Sequence, residues 1–175
     1  NLKTLTEEDI ENYQKRYGQL KKLIEANNQN IDLNEIKPNS MQVQALKKLE
    51  ETRIENDRAL LISATGTGKT YLSAFDVKQA KAKKILFVAH RKVILERSKI
   101  SYQRILKNKK MEIFDPNFQI NDKDEVVFAM VQTLNKEKNL NIFPKDYFDY
   151  IIIDEVHHGG AKTYQSIFEY FKPKF

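Results

Sequence analysis

Two short groups of residues in this 175-residue chain have the types and spacing to do chemistry. The first is Ser63-Ala64-Thr65-Gly66-Thr67-Gly68-Lys69-Thr70, directly after the apolar run Ala59-Leu60-Leu61-Ile62. A short apolar run, a glycine-containing turn and a Lys-Thr pair opening a helix are the layout of a phosphate-binding loop. Backbone N–H groups and the positive end of the helix face an anion, Lys69 reaches the outer phosphates, and Thr70 can bind Mg²⁺. The general pattern opens on a glycine, and Ser63 stands in its place. The second group is Tyr150-Ile151-Ile152-Ile153-Asp154-Glu155, an apolar run ending in two acids. Phosphoryl transfer from a nucleotide needs a cation on the outer phosphate oxygens and a group that positions the attacking water. Asp154 suits the metal and Glu155 suits the water. A lone Asp-Glu after a strand is more often a helix cap, but with Gly66-Thr67-Gly68-Lys69-Thr70 upstream the pair points to nucleotide hydrolysis.

The elements that must hold these groups are legible from periodicity. Thr6-Glu7-Glu8-Asp9 resembles a capping box with Asp9 in the Glu/Gln position, and Ile10, Tyr13, Tyr17, Leu20 and Ile24 follow at helical spacing. This predicts a helix over 7–25, an appendage occupying residues 1–36. A second helix is expected over 40–55, with Ser40 as N-cap after Pro38-Asn39. Then come a strand over 59–63, the loop, and a helix over 69–79. The continuous apolar run 84–89 predicts a strand buried on both faces, followed by a basic helix over 92–106. Strands are expected over 111–114, 125–130 and 148–153, and a last helix over 162–170. Strands alternating with helices define an α/β fold, a mostly parallel sheet with helices on both faces. Ligands of such sheets bind beyond the carboxyl ends of strands, where Ser63 and Asp154 both fall.

Composition limits the alternatives. The chain is one domain, or one domain plus an appendage, and at 41% apolar residues it can build a core. No apolar run approaches the ~18–20 residues of a bilayer span, so no membrane partner is expected, and no signal-peptide pattern is present. There is no cysteine, which excludes disulfides and thiolate metal sites and fits a cytoplasmic protein. The first residue is Asn1, as expected of a piece of a longer protein. Between Lys78 and Lys110 there are twelve Lys and Arg against one acid, Glu96, whereas the remaining 18 basic and 23 acidic residues are net acidic. Such a block is either a polyanion-facing surface or a solvated helix face.

Among nucleotide-binding classes, a GTPase would carry Asn-Lys-x-Asp, and neither Asn121-Asp122-Lys123-Asp124 nor Asn135-Lys136-Glu137-Lys138 matches it. A small-molecule kinase would usually keep the first loop glycine. Ala64-Thr65-Gly66-Thr67-Gly68-Lys69-Thr70 together with Asp154-Glu155-Val156-His157 instead resembles motifs I and II of superfamily 2 helicases of the DExH type. Pro38-Asn39-Ser40-Met41-Gln42-Val43-Gln44-Ala45-Leu46 looks like the adenine-reading Gln motif. Leu86-Phe87-Val88-Ala89-His90-Arg91 is similar to motif Ia, and Ala129-Met130-Val131-Gln132-Thr133-Leu134 to a motif Ib/Ic-type loop. Within the superfamily the chain resembles the type III restriction enzyme Res-subunit-like helicases. More narrowly it resembles the bacterial helicases that follow a phospholipase-D-like nuclease domain, on Asp154-Glu155-Val156-His157-His158-Gly159-Gly160-Ala161-Lys162-Thr163-Tyr164-Gln165. The likeness covers nearly the whole chain, including the helix that opens at Thr6-Glu7-Glu8. Motifs I and II are specific in combination, while motifs Ia and Ib are looser.

The resemblance implies a RecA-like domain over 37–175, ending before motif III. Backbone from Ala64 and Thr65 through Gly66, Thr67 and Gly68 to Thr70 would wrap the phosphates, with Lys69 on the outer groups. Thr70 and Asp154 would hold Mg²⁺ and Glu155 would activate water. Gln42, otherwise a surface helix residue, would bond the adenine edge and select ATP. His157 would couple the nucleotide site to the nucleic-acid side. The alternative for His157 and His158 is loop histidines or a metal site, but adjacent histidines project differently and no third ligand is evident. Arg91 and Lys92, and Gln132 and Thr133, would contact the nucleic-acid backbone without reading sequence. The relatives favour DNA over RNA. The family's active site lies between two RecA-like domains, so the expected activity is DNA-dependent ATP hydrolysis by the intact protein and little by this part alone. Two rivals stand beside it. A non-catalytic scaffold for nucleic acid or protein would have lost Lys69, Asp154 or Glu155, and all three are present. An ATPase acting on proteins fits Arg91 and the basic helix poorly.

Overall fold

Five apolar residues in a row, Ile85–Ala89, form the central strand β1, and every one of them is buried. A strand sealed on both faces needs hydrogen-bonding partners at both edges and helices over both faces, and β1 has all four. The computed structural model describes residues 36–64, 66–115, 117–121, 123, 125–155 and 160–175, with side chains from 164 onward in the last segment. The helix expected over 7–25, together with Thr65 and His157, lies outside these residues. The chain divides into two units, 1–37 and 38–175, and the second contains the sheet and both groups of site residues.

In chain order the described elements are α1 (Ser40–Glu55), α2 (Lys69–Gln79), β1, α3 (Lys92–Ile105), β2 (Met111–Ile113) and β3 (Val126–Met130). Short helices α4 (Val131–Leu134) and α5 (Glu137–Leu140), strand β4 (Tyr150–Ile153) and helix α6 (Gly160–Tyr170) complete them. The sheet order is β2-β3-β1-β4, with every pairing parallel. Ile85 stands opposite Val126 on one side and Tyr150 on the other, so the three longer strands start level and their carboxyl ends share one edge.

Alternation along the strands sorts the core into two. Ile85, Phe87, Ala89, Val126 and Phe128 pack with Leu46 of α1, Leu72 and Phe75 of α2, and Leu95 and Tyr102 of α3. Leu86, Val88, Val127 and Ala129 pack with Val131, Leu134, Leu140, Phe143, Tyr164 and Ile167 beneath the opposite face. Phe87 meets Tyr102 edge to face at 5.5 Å, and Tyr102 meets Phe128 at 5.4 Å, which locks α3 across the strands. The α/β fold with helices on both faces is as the sequence predicts.

Three local expectations are corrected. The N-cap of α1 is Asn39, not Ser40: its side chain accepts from Gln42 N while Gln42 Oε1 accepts from Asn39 N, a full capping box. Strand β4 starts at Tyr150 rather than 148, because the Asp149 carboxylate accepts from the Lys83 and Lys84 N–H groups and Phe148 turns into the core. The run 59–63 forms no strand among the described residues. Both edges of β1 are taken, and the outer edge of β4 is met by Phe175, whose carbonyl accepts from Ile151 N at 3.0 Å. Without a partner edge an apolar run gains no ladder, however strand-like its composition.

A buried polar cluster ties the first helices to the sheet. Asp76 of α2, 3% exposed, takes a 2.6 Å ion pair from Arg53 of α1 and a hydrogen bond from the Tyr150 hydroxyl of β4. Burial of the phenol, then the neighbouring Asp76 charge, pushes the Tyr150 pKa up, so it stays a neutral donor.

Candidate functional site

The loop preceding α2 is shaped by its glycines. Gly66 and Gly68 have φ of +78° and +79°, left-handed values that other residues reach only with strain. Around Gly66 there is open space, so only its backbone needs glycine. Gly68 has a second reason, since a Cβ there would lie 2.8 Å from Gln42 Nε2. Gly68 is the N-cap of α2 and brings no side-chain cap, so the helix presents its first-turn N–H groups uncapped by it. That is an anion site in waiting.

Ser63 explains its own presence where the general pattern has glycine. The Thr67 hydroxyl donates to the Ala64 carbonyl at 2.9 Å, so the 2.7 Å contact between Ser63 Oγ and Thr67 Oγ1 has Ser63 as its donor. Two hydroxyls thus pin the loop in a chain. Gln42, expected on the surface but for the family likeness, is 7% exposed and donates from Nε2 to Gly68 O at 3.2 Å. It connects the first turn of α1 to the loop. The capping-box spacing Asn39-x-x-Gln42 was the sequence signal for its placement.

Lys69, the first residue of α2, donates from Nζ to the Ser63 carbonyl at 3.3 Å, and the same nitrogen lies 3.7 Å from Glu155 Oε1. Residues 86 positions apart are thereby brought together. The Asp154 N–H donates to Val88 O at 2.9 Å, carrying the β1–β4 ladder one residue beyond β4 and fixing the backbone that presents both acids. Glu155 then takes φ of +54°, a left-handed turn that costs a non-glycine residue about 1–2 kcal/mol and redirects its side chain. Thr70 is half-buried in the first turn of α2, and its carbonyl accepts from Ser73 Oγ.

The residues expected on the nucleic-acid side lie at the ends of neighbouring strands. Arg91 caps α3 and Lys92 begins it, both exposed, just past β1. Gln132 and Thr133 lie within α4, just past β3, and Ala89 stands opposite Met130, so the two pairs are side by side. Gln132 is exposed, whereas the Thr133 carbonyl is committed to Asn139 Nδ2. The basic block divides in three dimensions. Lys109 pairs with Glu125 at 2.6 Å and Lys84 stacks over Tyr147, both before the strands begin, while Arg91 and Lys92 sit beyond their carboxyl ends. Two residues were missed. His90 joins Gln132 to the Tyr164 hydroxyl, a pairing across 74 positions that no local spacing announces.

A parallel α/β sheet with a glycine-shaped anion loop, a lysine at a helix start and a pair of acids just beyond β4 defines a P-loop nucleotide-binding domain of the RecA-like kind. Residues 35–175 match the family model described as "Type III restriction enzyme, res subunit", and the chain belongs to that family, a Res-like helicase domain of superfamily 2. It is 31% identical over 151 residues to a type I restriction enzyme EcoAI endonuclease subunit of Escherichia coli, covering 77% of this chain and 18% of that protein. It is 32% identical over 123 residues to a putative mitochondrial ATP-dependent helicase irc3 of Schizosaccharomyces pombe, covering 67% of this chain and 20% of that one. Among solved structures it is similar to the Sulfolobus solfataricus SWI2/SNF2 ATPase core in complex with dsDNA. There the TM-score is 0.63 at 16% identity, over 80% of this chain and 31% of that one, a likeness of fold. The chain spans about a fifth of the length of the two curated relatives.

Proposed function

We propose that this domain is the ATP-binding motor half of a nucleic-acid-dependent ATPase, a DNA helicase or translocase of restriction, repair or defence type acting in the cytoplasm. The observation that carries the reading is the Lys69–Glu155 contact at 3.7 Å beside the uncapped start of α2. The pair is a quarter exposed on both sides, and contacts of that kind contribute about 1 kcal/mol or less. Incoming phosphates therefore displace Glu155 from Lys69 readily. The loop N–H groups and Lys69 then hold the phosphates, and Glu155, released from Lys69, orients a water and accepts its proton.

Gln42 uses one N–H and one lone pair on Gly68 and Asn39, which leaves one donor and one acceptor. That is the complement of an adenine edge and supports ATP as the nucleotide. Thr70 and Asp154 supply a hydroxyl and a carboxylate, hard oxygen donors that fit Mg²⁺. Among the described residues no group of three or more His, Cys, Asp and Glu is placed to hold a metal by itself. Mg²⁺ bound there would neutralise charge on the phosphate oxygens.

In this reading Arg91, Lys92, Gln132 and Thr133 meet the DNA backbone, and His157 couples the two sides. A second RecA-like domain of the same polypeptide completes the active site, with a nuclease-like domain preceding this one, so the domain alone binds ATP·Mg²⁺ weakly and barely turns it over. The test is ATP turnover by the intact protein with and without duplex DNA at graded salt, beside Lys69→Ala. Stimulation that weakens with salt and vanishes in Lys69→Ala is expected. Turnover indifferent to DNA, or intact in Lys69→Ala, defeats the proposal.

A further inference from the structure

His90 has no task in the hydrolysis just proposed, yet its ring is held on both sides. Nδ1 lies 3.2 Å from Gln132 Nε2, an amide nitrogen that can only donate, so the neutral ring accepts there and carries its proton on Nε2. That proton is donated to the Tyr164 hydroxyl, and the two rings meet edge to face at 5.5 Å and 77°. Tyr164 comes from α6 and is 1% exposed. Burial, followed by the charges of Asp154 and Glu155, raises its pKa and keeps the hydroxyl protonated. At the other end of the line Gln132 is exposed.

The backbones fix the line as firmly as the side chains. His90 follows Ala89 at the end of β1, Gln132 follows the opposed Met130 by two residues, and Asp154 is tied to Val88. Three residues from three elements therefore form one line from a solvent-facing amide to a buried hydroxyl, through one imidazole with a defined donor side and acceptor side, at the strand end to which Asp154 is tied.

We propose that His90 is a positioning residue through which nucleic acid at Gln132 sets the Tyr164 hydroxyl, coupling occupancy of the basic face to ATP hydrolysis at the neighbouring strand end that carries Asp154 and Glu155. This rests on the reading of Gln132 as a nucleic-acid contact and of the acids as hydrolytic.

The experiment measures ATP turnover and duplex-DNA affinity of the intact protein as wild type, His90→Ala, Tyr164→Phe, Gln132→Ala and the double variant His90→Ala/Gln132→Ala. The ratio of DNA-stimulated to unstimulated kcat is expected to fall roughly tenfold in both His90→Ala and Tyr164→Phe, a typical coupling magnitude. KM for ATP is expected to stay within about twofold, because the phosphate contacts are untouched. Tyr164→Phe keeps the ring packing, so a purely structural role would leave its ratio at the wild-type value. The double variant is expected to lose no more than the worse single one. Wild-type stimulation in His90→Ala, or in Tyr164→Phe should His90→Ala not fold, overturns the inference, as do losses that add in the double variant. If the wild type itself is not stimulated, the nucleic-acid-dependent reading falls, and this inference with it. A stimulated wild type beside an equally stimulated His90→Ala removes the coupling role alone.

Discussion

The runs 59–63 and 85–89 are alike in composition and length, and they end in opposite environments. Ile85–Ala89 is the sealed centre of the sheet, whereas Leu60 and Ile62 are 72% and 86% exposed. The difference does not lie in the residues. β1 has β3 on one edge, β4 on the other and a helical layer on each face, while 59–63 joins no strand of the sheet among the described residues. Apolar runs state a preference for burial, and the availability of partner edges decides which run obtains it. The consequence for function is a division of labour. The ladder holds Asp154 and Glu155 from one side, and the loop that meets them is held by side chains: the Ser63–Thr67 hydroxyls, Gln42 on Gly68 and Lys69 on Ser63.

Substitutions in each region put this contrast to the test. Phe87→Ala, in the centre of β1 against Tyr102 and Phe128, is expected to cost about 3–5 kcal/mol in urea unfolding, the range for emptying a buried aromatic site. Gly68→Ala imposes a side chain on a φ of +79° and against Gln42 Nε2, with an expected loss of about 1–3 kcal/mol. Nucleotide affinity should fall with it, because the strain sits in the phosphate loop. Asn39→Ala removes the cap of α1 and the partner that orients Gln42, with an expected loss of about 1 kcal/mol. Ile62→Ser, at a position exposed to solvent, is expected to change stability by about 0.5 kcal/mol or less. Should Ile62→Ser cost as much as Phe87→Ala, the run 59–63 is buried and the contrast is wrong.

What was legible in the sequence was what is local. Lys69–Gln79 matches the expected helix because glycine before it and period within it are both written in consecutive residues. The helices Val131–Leu134 and Glu137–Leu140 went unread, since four residues carry no helical period. The start of β4 was misplaced for a different reason. Asp149 follows an aromatic in an apolar context, and its use as a cap for Lys83 and Lys84 appears only once the strands are side by side. In the candidate site, the loop and the acid pair were visible as motifs, and the contact of Lys69 with Glu155 follows from placing both beyond strand ends. The His90–Tyr164 contact was not visible, because it depends on how α6 returns over the sheet.

The central claim is that Glu155 does hydrolytic work at a site where Lys69 and the loop do the binding. It is tested most directly by Glu155→Gln in the intact protein, with nucleotide affinity and DNA-stimulated turnover measured on the same preparation. Glutamine keeps the shape, releases the ion pair with Lys69 and removes the proton acceptor. ATP affinity equal to or above wild type, with turnover reduced by roughly 100-fold or more, is the expected result, as befits removal of a general base. Turnover within a few-fold of wild type at undiminished affinity would contradict the assignment of Glu155 and the reading of the site built on it.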